Sequence, residues 1–304
     1  MSAPRVSIGM PVYNGGRWLR ASLDSLLAQR YADFELIISD NASTDDSEAI
    51  CREYAARDAR IRYVRNPRNI GASDNFNAVF RLARGEYFKW ASCNDLCEPD
   101  FVGRCVAALD ADPGTVLAYP RTRLMLGDDG RYEDYVDNLE LLDDSPGARF
   151  RGLLERIRLN NVMNGVIRRS SLACTPLIEV YFSSDVNLMA ELALHGKFRE
   201  IPDYLFIRRM DPASATRLKD AAEVRKHYDP DQARLMVFQY WRVYKEYFRA
   251  VWRTSLSRAE KLCLYRYLAR RLVWDRGHLA EDAWESVKAL TARRRARRAG
   301  AAAR

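Results

Sequence analysis

The stretch YFKWASCNDLCEPD (87–100) poses a chemical question. An apolar run ends on two short polar groups, Asn94 and Asp95, and Glu98-Pro99 then signals a helix start. A carboxylate delivered to such a turn suits a hard divalent cation, which binds through oxygen and can neutralise a diphosphate. Asp40-Asn41, after an apolar run at 34–38, is a second such pair, and Tyr13-Asn14, after Val6–Val12, is a third. Asp40 can accept from a base N–H of the kind a pyrimidine offers. Singly, each turn is explained by the preference of turns for Asn, Asp and Gly. Together they describe a nucleotide pocket built from side chains. Asn14-Gly15-Gly16 is not the G-x-G-x-x-G fingerprint and no G-K-[ST] occurs, which argues against a dinucleotide dehydrogenase and a P-loop enzyme.

The elements that must position these groups are read from periodicity. Strands are predicted at Val6–Val12, 34–38, 61–64, 87–91 and 116–119. Between them, Trp18, Leu19, Leu23, Leu26 and Leu27 recur at helical spacing. Asp45 and Glu48 form an Asp-x-x-Glu capping pair for a helix to about Ala56. A helix at 74–83 is closed by Gly85, and Pro99 opens another with Phe101, Cys105, Val106 and Leu109 inward. Alternating strand and helix imply an α/β architecture, an open, mostly parallel sheet with helices on both faces. In such sheets ligands bind outside the carboxyl ends of the strands, where all three polar pairs fall.

Beyond residue 123 the pattern breaks. The segment 124–149 is acidic and is expected to be a long surface excursion bordering the acceptor site. A helix is predicted at 151–158, a strand at 162–168, a helix at 185–194 and a last strand at 204–208. Past Asp229 the chain reads as helical. Val237, Trp241, Tyr244, Phe248 and Val251 form one stripe, with Arg242, Lys245, Arg249 and Arg253 interleaved; Leu264, Leu268 and Leu272 form another.

The chain has 304 residues, 48% hydrophobic and 30% charged, an ordinary globular composition with a net charge of +8. Six arginines (293, 294, 295, 297, 298 and 304) and no acid occupy the last fourteen residues, so the remainder carries only +2. A general nucleic-acid-binding face is not implied. The six cysteines (51, 93, 97, 105, 174 and 263) form no C-x-x-C pair and are expected to be reduced thiols. MSAPRVSIGMP lacks a signal-peptide core, and no apolar run reaches about 18 residues. A cytoplasmic protein, peripheral at most on the inner face of the membrane, is expected.

Three blocks, VSIGMPVYNGGRWLRASLDSLLAQRYADFELIISDNASTD, NPRNIGASDNFNAVF and GEYFKWASCNDLCEPDF, resemble the family 2 glycosyltransferases, which have the GT-A fold. The resemblance runs in order from Val6 to about Arg209. It implies an inverting transfer of a sugar from a nucleotide diphosphate sugar to a hydroxyl acceptor. Pro11, Val12, Tyr13 and Asp40 would hold the base and ribose, with Asn41 and Ser43 supporting the turn. Asn69, Gly71 and Asn75 would line the nucleotide-sugar side. The family's D-x-D element would be Cys93-Asn94-Asp95, with Asp95 the ligand of Mn or Mg and Asn94 toward the ribose or sugar. This chain departs from the family here, having one acid where two or three are usual. Asp185 in Ser183-Ser184-Asp185-Val186-Asn187 would be the general base; its plain alternative is an N-cap. Arg208 and Arg209 would close over the diphosphate, or form a solvated charge pair after a strand.

The resemblance divides the chain into a GT-A domain at 1–228, with a nucleotide-sugar half at about 1–120 and an acceptor half at about 121–228. A helical extension at 229–290 and a disordered basic tail at 291–304 would follow. UDP or dTDP is favoured as the donor nucleotide and GDP is possible; the acceptor would be a glycan or lipid-linked hydroxyl of the cell surface. Two other classes compete. One is a nucleotide-sugar-binding relative without catalysis, for which Asn94 is the hint and against which Asp95 and Asp185 stand. The other is a basic scaffold or nucleic-acid binder, suggested by the arginines, although the aromatics of 239–253 follow the spacing of a core-facing helix. The helical C-terminus is expected to pack on the domain, with the basic tail drawn to an anionic membrane; the alternative is that the aromatic-basic helices themselves lie on that membrane.

Overall fold

The computed structural model describes residues 3–127, 130–210 and 237–302, with side chains to 292. Strands β1 (Val6–Val12), β2 (Phe34–Asp40), β3 (Ile61–Arg65) and β4 (Tyr87–Trp90) alternate with helices α1 (Gly16–Leu27), α2 (Ser47–Arg57) and α3 (Ala72–Leu82). Then follow β5 (Leu96–Cys97), α4 (Phe101–Ala111), β6 (Thr115–Met125), β7 (Tyr132–Tyr135), α5 (Pro146–Arg156) and a 3-10 turn at Asn161–Asn164. After β8 (Val166–Arg168) and α6 (Arg169–Leu172) come α7 (Ser184–His195) and the long β9 (Lys197–Arg209). Helices α8 (Gln239–Arg253), α9 (Arg258–Trp274) and α10 (Arg276–Ala302) complete the described chain.

The sheet runs β3-β2-β1-β4-β8-β6-β9-β5, with β7 on β6. β1, β2, β3 and β4 are parallel, as are β6 and β9. β8 lies antiparallel between β4 and β6, a crossover that periodicity alone does not register. β1 is buried along its whole length, as a central parallel strand covered on both faces must be. Alternate residues feed separate cores: Ile8 and Ile38 meet the side of α1, α2 and α4, while Ile37, Phe88 and Trp90 meet the side of α5 and α7. Tyr244, Tyr247, Val251, Leu264, Leu268 and Leu279 join the second core, so α8, α9 and α10 pack on the sheet domain.

Several local expectations are corrected. Gly85 does not end α3, whose C-cap is Ala83. A Cβ there would stand 2.7 Å from the Ser7 nitrogen and 2.9 Å from the Tyr87 oxygen, so close backbone approach requires the glycine. Asp45 and Glu48 form no capping box; Asp45 instead accepts from the backbone of Gly16 at 2.9 Å and Ser47 at 3.0 Å, tying α1 to α2. The strand expected at 162–168 is a 3-10 turn followed by only Val166–Arg168. The acidic excursion, for which the sequence leaves partial order open, does hold structure, since β7 pairs with β6; it is not wholly at the surface, because Leu139 and Leu141 are buried. The segment expected to be a disordered tail continues α10 to Ala302. Trp241, placed on the inward stripe, is 45% exposed. The expected boundary at 228–229 lies outside the described residues.

Candidate active site

Two clusters form along the carboxyl rim of the sheet. The first joins the ends of β1 and β2. Val12 pairs with Asp40, and Asn41 donates its backbone N–H to the Val12 carbonyl at 2.8 Å. Asp40 is fully buried; it accepts from Arg65 at 2.6 Å, Tyr63 at 2.9 Å and the Ser43 backbone at 2.8 Å. The charge of Asp40 is therefore met from within the protein, both of its oxygens accepting hydrogen bonds. Burial beside Asp40 pushes the Tyr63 phenol well above its ordinary range, keeping it a donor.

Asn41, Asn69 and Asn75 are brought together, but they face one another. Asn41 donates to Asn69 at 2.8 Å and accepts from the Ile70 backbone at 2.9 Å. Asn75, 2% exposed, accepts from Ser39 at 2.7 Å and donates to the Ser39 carbonyl at 3.0 Å. Asn66, which sequence reasoning missed, donates to Asn75 at 3.0 Å. This network fixes the loop after β3 against the strand ends. Gly71, at φ +87°, supplies the left-handed turn that starts α3. Pro11 and Val12 are buried backbone supports, and Tyr13 stands 49% exposed at the rim.

The second cluster joins β4 to β9. Half-buried Asp95 accepts from the Arg209 backbone N–H at 2.9 Å. Burial raises its carboxyl above the ordinary range, against the pull of that hydrogen bond and of Arg208. Arg209 also donates from Nε to the Asn94 carbonyl at 3.3 Å, and its guanidinium lies 3.7 Å over the Trp18 ring. Gly15 lets this turn close on β1: a Cβ there would meet the Cys93 sulfur at 2.7 Å. Burial pushes the Cys93 thiol up to about 11, so it is no nucleophile at neutral pH. Lys89, read only as part of a strand, is a fully buried lysine whose ammonium donates to the Asn164 carbonyl at 2.5 Å.

Asp185 lies in the first turn of α7, but the N-cap position belongs to Ser183, in the left-handed region at φ +59°. The Asp185 carboxylate accepts instead from Asn160 at 2.8 Å. The next residue, Asn161, accepts from Arg208 at 2.6 Å and donates to buried Asp137 at 3.3 Å. Adjacent asparagines thus connect Asp185 to the arginine beside Asp95. The Asn160 carboxamide oxygen is buried without a partner among the described residues. Neither asparagine carries a periodic signal, and sequence reasoning missed both.

Among the described residues, no group of three or more His, Cys, Asp or Glu is placed to hold a metal. The turn after β4 offers one carboxylate, Asp95, with one oxygen engaged by the Arg209 backbone. Such a donor set fits a hard cation only as one protein ligand of several, the others being oxygens of a bound diphosphate.

The family model described as glycosyl transferase family 2 matches residues 7–174, more than half of the chain. Chondroitin synthase of Escherichia coli is 33% identical over 120 residues, 40% of this chain and 17% of its own length. An uncharacterized glycosyltransferase of Rickettsia bellii is 39% identical over 192 residues, 62% of this chain and 25% of its own. The chain therefore spans well under half the length of these relatives. Among solved structures, TarS 1–349 of S. aureus in complex with UDP-GlcNAc superposes with a TM-score of 0.66 at 15% identity, covering 88% of this chain and 73% of TarS. The mannosyltransferase PcManGT of Pyrobaculum calidifontis, in complex with GDP-Man and Mn2+, gives 0.54 at 17% identity, covering 96% and 76%. These likenesses establish the fold around the rim.

Proposed function

Because the chain belongs to glycosyl transferase family 2 and is a glycosyltransferase of the GT-A fold, we propose that it moves a sugar from a nucleoside diphosphate to a hydroxyl acceptor with inversion. The observation that carries this reading is the connected set Asp95, Arg209, Arg208, Asn161, Asn160 and Asp185 at the carboxyl rim. Asp185 takes the proton from the acceptor hydroxyl as its oxygen forms the new bond to the anomeric carbon. The bond from that carbon to the diphosphate oxygen breaks on the opposite face, and the nucleoside diphosphate leaves with the electron pair. General-base assistance of this type is worth roughly 10²–10⁴-fold. Arg208 and Arg209 face the charge that grows on the leaving diphosphate.

Pro11, Val12, Tyr13 and Asp40 form the base and ribose side, with Asn41, Asn69, Gly71 and Asn75 holding its wall. Asn94 faces the ribose or sugar. Asp95, with diphosphate oxygens, would hold Mn or Mg, which supplies further charge neutralisation when bound. UDP or dTDP is the favoured nucleotide and GDP the alternative; TarS and PcManGT, of the same fold, hold UDP-GlcNAc and GDP-Man. The acceptor is a glycan or lipid-linked hydroxyl in cell-surface glycan synthesis, with the basic C-terminal segment drawn to the membrane that carries it.

Calorimetry with UDP, dTDP and GDP, with and without Mn2+, tests the donor site. Tight binding of one diphosphate, weakened in Arg208→Ala and made metal-independent in Asp95→Ala, is expected. Absence of binding by all three would overturn the reading. With the donor known, Asp185→Asn must abolish transfer while retaining nucleotide binding.

A further inference from the structure

The three C-terminal helices carry a charge and aromatic pattern that the sugar-transfer site does not use. Residues 237–304 hold seventeen Lys and Arg and six Asp and Glu, a balance of +11. The whole chain stands at +8, so residues 1–236 stand at −3. The basic character of the protein is thus confined to this unit, and it is not only a property of the arginine-rich end. Four of the six tryptophans lie here too: Trp241, Trp252, Trp274 and Trp284, exposed by 45%, 73%, 63% and 62%.

Helical spacing sorts these residues onto outward faces. On α8, Trp241, Lys245, Arg249 and Trp252 fall at intervals of four, four and three, and all are exposed. On α9, Leu262, Arg266, Arg270 and Trp274 recur every four residues, with Val273 beside them, and all are again exposed. The opposite face of α9 buries Leu264 and Leu268 completely. On α8 and α9 the acids are withdrawn from the outward faces, whereas Glu281 and Glu285 of α10 are exposed. Glu246 is 5% exposed and bonds Arg249, while Glu260 serves the capping box with Ser257. Asp275, just past α9, is taken by the Tyr244 hydroxyl.

Three of these four tryptophans have a cation over the ring, while the Trp241 indole N–H donates to the Leu279 carbonyl at 3.0 Å. Lys261 lies 5.6 Å from the Trp252 centroid, Arg270 5.4 Å from Trp274 and Lys288 5.1 Å from Trp284. Lys261 also donates to the Trp252 carbonyl at 2.8 Å, which links the end of α8 to the start of α9. A helix face that alternates large aromatics with long basic chains and excludes acid matches a bilayer interface. There the indole sits among headgroups, the basic chain reaches anionic phosphates, and its methylenes cover apolar surface. No helix among the described residues is long and apolar enough to cross a membrane.

We propose that the outward faces of α8 and α9, bearing Trp241, Trp252, Leu262, Val273 and Trp274 with Lys245, Arg249, Arg266 and Arg270, dock the protein onto an anionic lipid surface. Contact is made by folded helices as well as by the arginine-rich end. The inference is independent of the sugar-transfer reading, because it is read out by membrane association without substrate.

Co-sedimentation of the full chain with phosphatidylcholine vesicles, with and without phosphatidylglycerol, tests it. Binding only to the anionic vesicles is expected. Trp252→Gln with Trp274→Gln should lower the partition coefficient on the order of tenfold. Arg266→Gln and Arg270→Gln should each lower it about fivefold. These side chains lie on solvent-exposed faces, and circular dichroism checks that each variant is folded. Truncation after Leu290 should weaken binding yet leave the tryptophan effect in place. Failure to sediment with anionic vesicles would overturn the proposal. Binding that disappears on truncation and ignores the tryptophans would also overturn it, placing contact at the arginine-rich end alone. So would retention of a single-stranded oligonucleotide under conditions where the vesicles are ignored.

Discussion

Asn160 donates its carboxamide N–H to the Asp185 carboxylate at 2.8 Å, and its own oxygen is left buried without a partner among the described residues. The hydrogen bond fixes one carboxylate oxygen. Asn160→Ala frees the carboxylate to turn toward the N–H groups that open α7. A hydrogen bond to a charged group is worth about 1.5–3 kcal/mol, so turnover should fall roughly 10–100-fold. Nucleotide affinity, which does not pass through Asp185, should be unchanged. Equal loss of both in calorimetry and steady-state kinetics would mean that Asn160 only holds the fold.

Asp137 predicts a pH dependence of stability. It is 3% exposed, one oxygen lacks a partner among the described residues, and burial pushes its carboxyl up to about 7. Glu200 adds to the rise, while Asn161, Thr122 and Arg208 oppose it; Tyr119 also faces it. The folded state therefore holds a proton that the unfolded chain releases near its ordinary value of about 3.9. Stability from this group is complete below about 4 and is lost as pH rises toward about 7, at about 1.4 kcal/mol per unit. Asp137→Asn should melt higher than the parent at pH 8, with an advantage that shrinks as pH falls toward 4. A constant difference across that range in thermal melts would sink the assignment.

The strand ends, the sheet and the helical C-terminus were legible in the sequence because strand and helix alternate with strong periodicity. What stayed hidden depends on chain crossings. β8 enters the sheet antiparallel between β4 and β6, and three residues carry too little pattern to announce it. Asp137 sat among exposed acids and differs from them only in being covered. Asn41, Asn69 and Asn75 were legible as a group at one rim, but residue type alone does not separate a ligand contact from mutual satisfaction. Lys89 interrupts an apolar run in which a charge reads as an outward position; two carbonyls and two aromatic rings receive it inside.

That lysine gives a stability prediction. Its ammonium, 4.1 Å from the Phe101 centroid, satisfies the carbonyl of Asn164, the last residue of the 3-10 turn. Lys89→Met keeps the apolar stem and leaves the carbonyl without its donor. A buried group so deprived costs about 1–3 kcal/mol. Chemical denaturation should show a lower midpoint at unchanged slope. If the midpoint rises, the cost of burying the charge outweighs the bonds it makes.

The C-terminal helices should be indispensable to the site. Glu191 of α7 is 2% exposed and pairs with Arg253 of α8 at 2.6 Å. Asn187 donates to the Val243 carbonyl at 3.0 Å, and Gln239 accepts from the Phe182 backbone at 3.0 Å. These contacts brace the strained Ser183 turn that presents Asp185. Arg253→Ala leaves a buried carboxylate with less compensation. The Arg253 side chain is 35% exposed, so the loss should be about 2 kcal/mol, below that of a fully enclosed pair. Glu191→Gln with Arg253→Met removes both charges and should recover most of that loss. A double variant no more stable than Arg253→Ala in urea unfolding would show that the helix is held by packing of Tyr247 and Val251 rather than by the pair. Removing α8 to α10 altogether should abolish transfer, since the turn before Asp185 then loses its support from Gln239 and Val243.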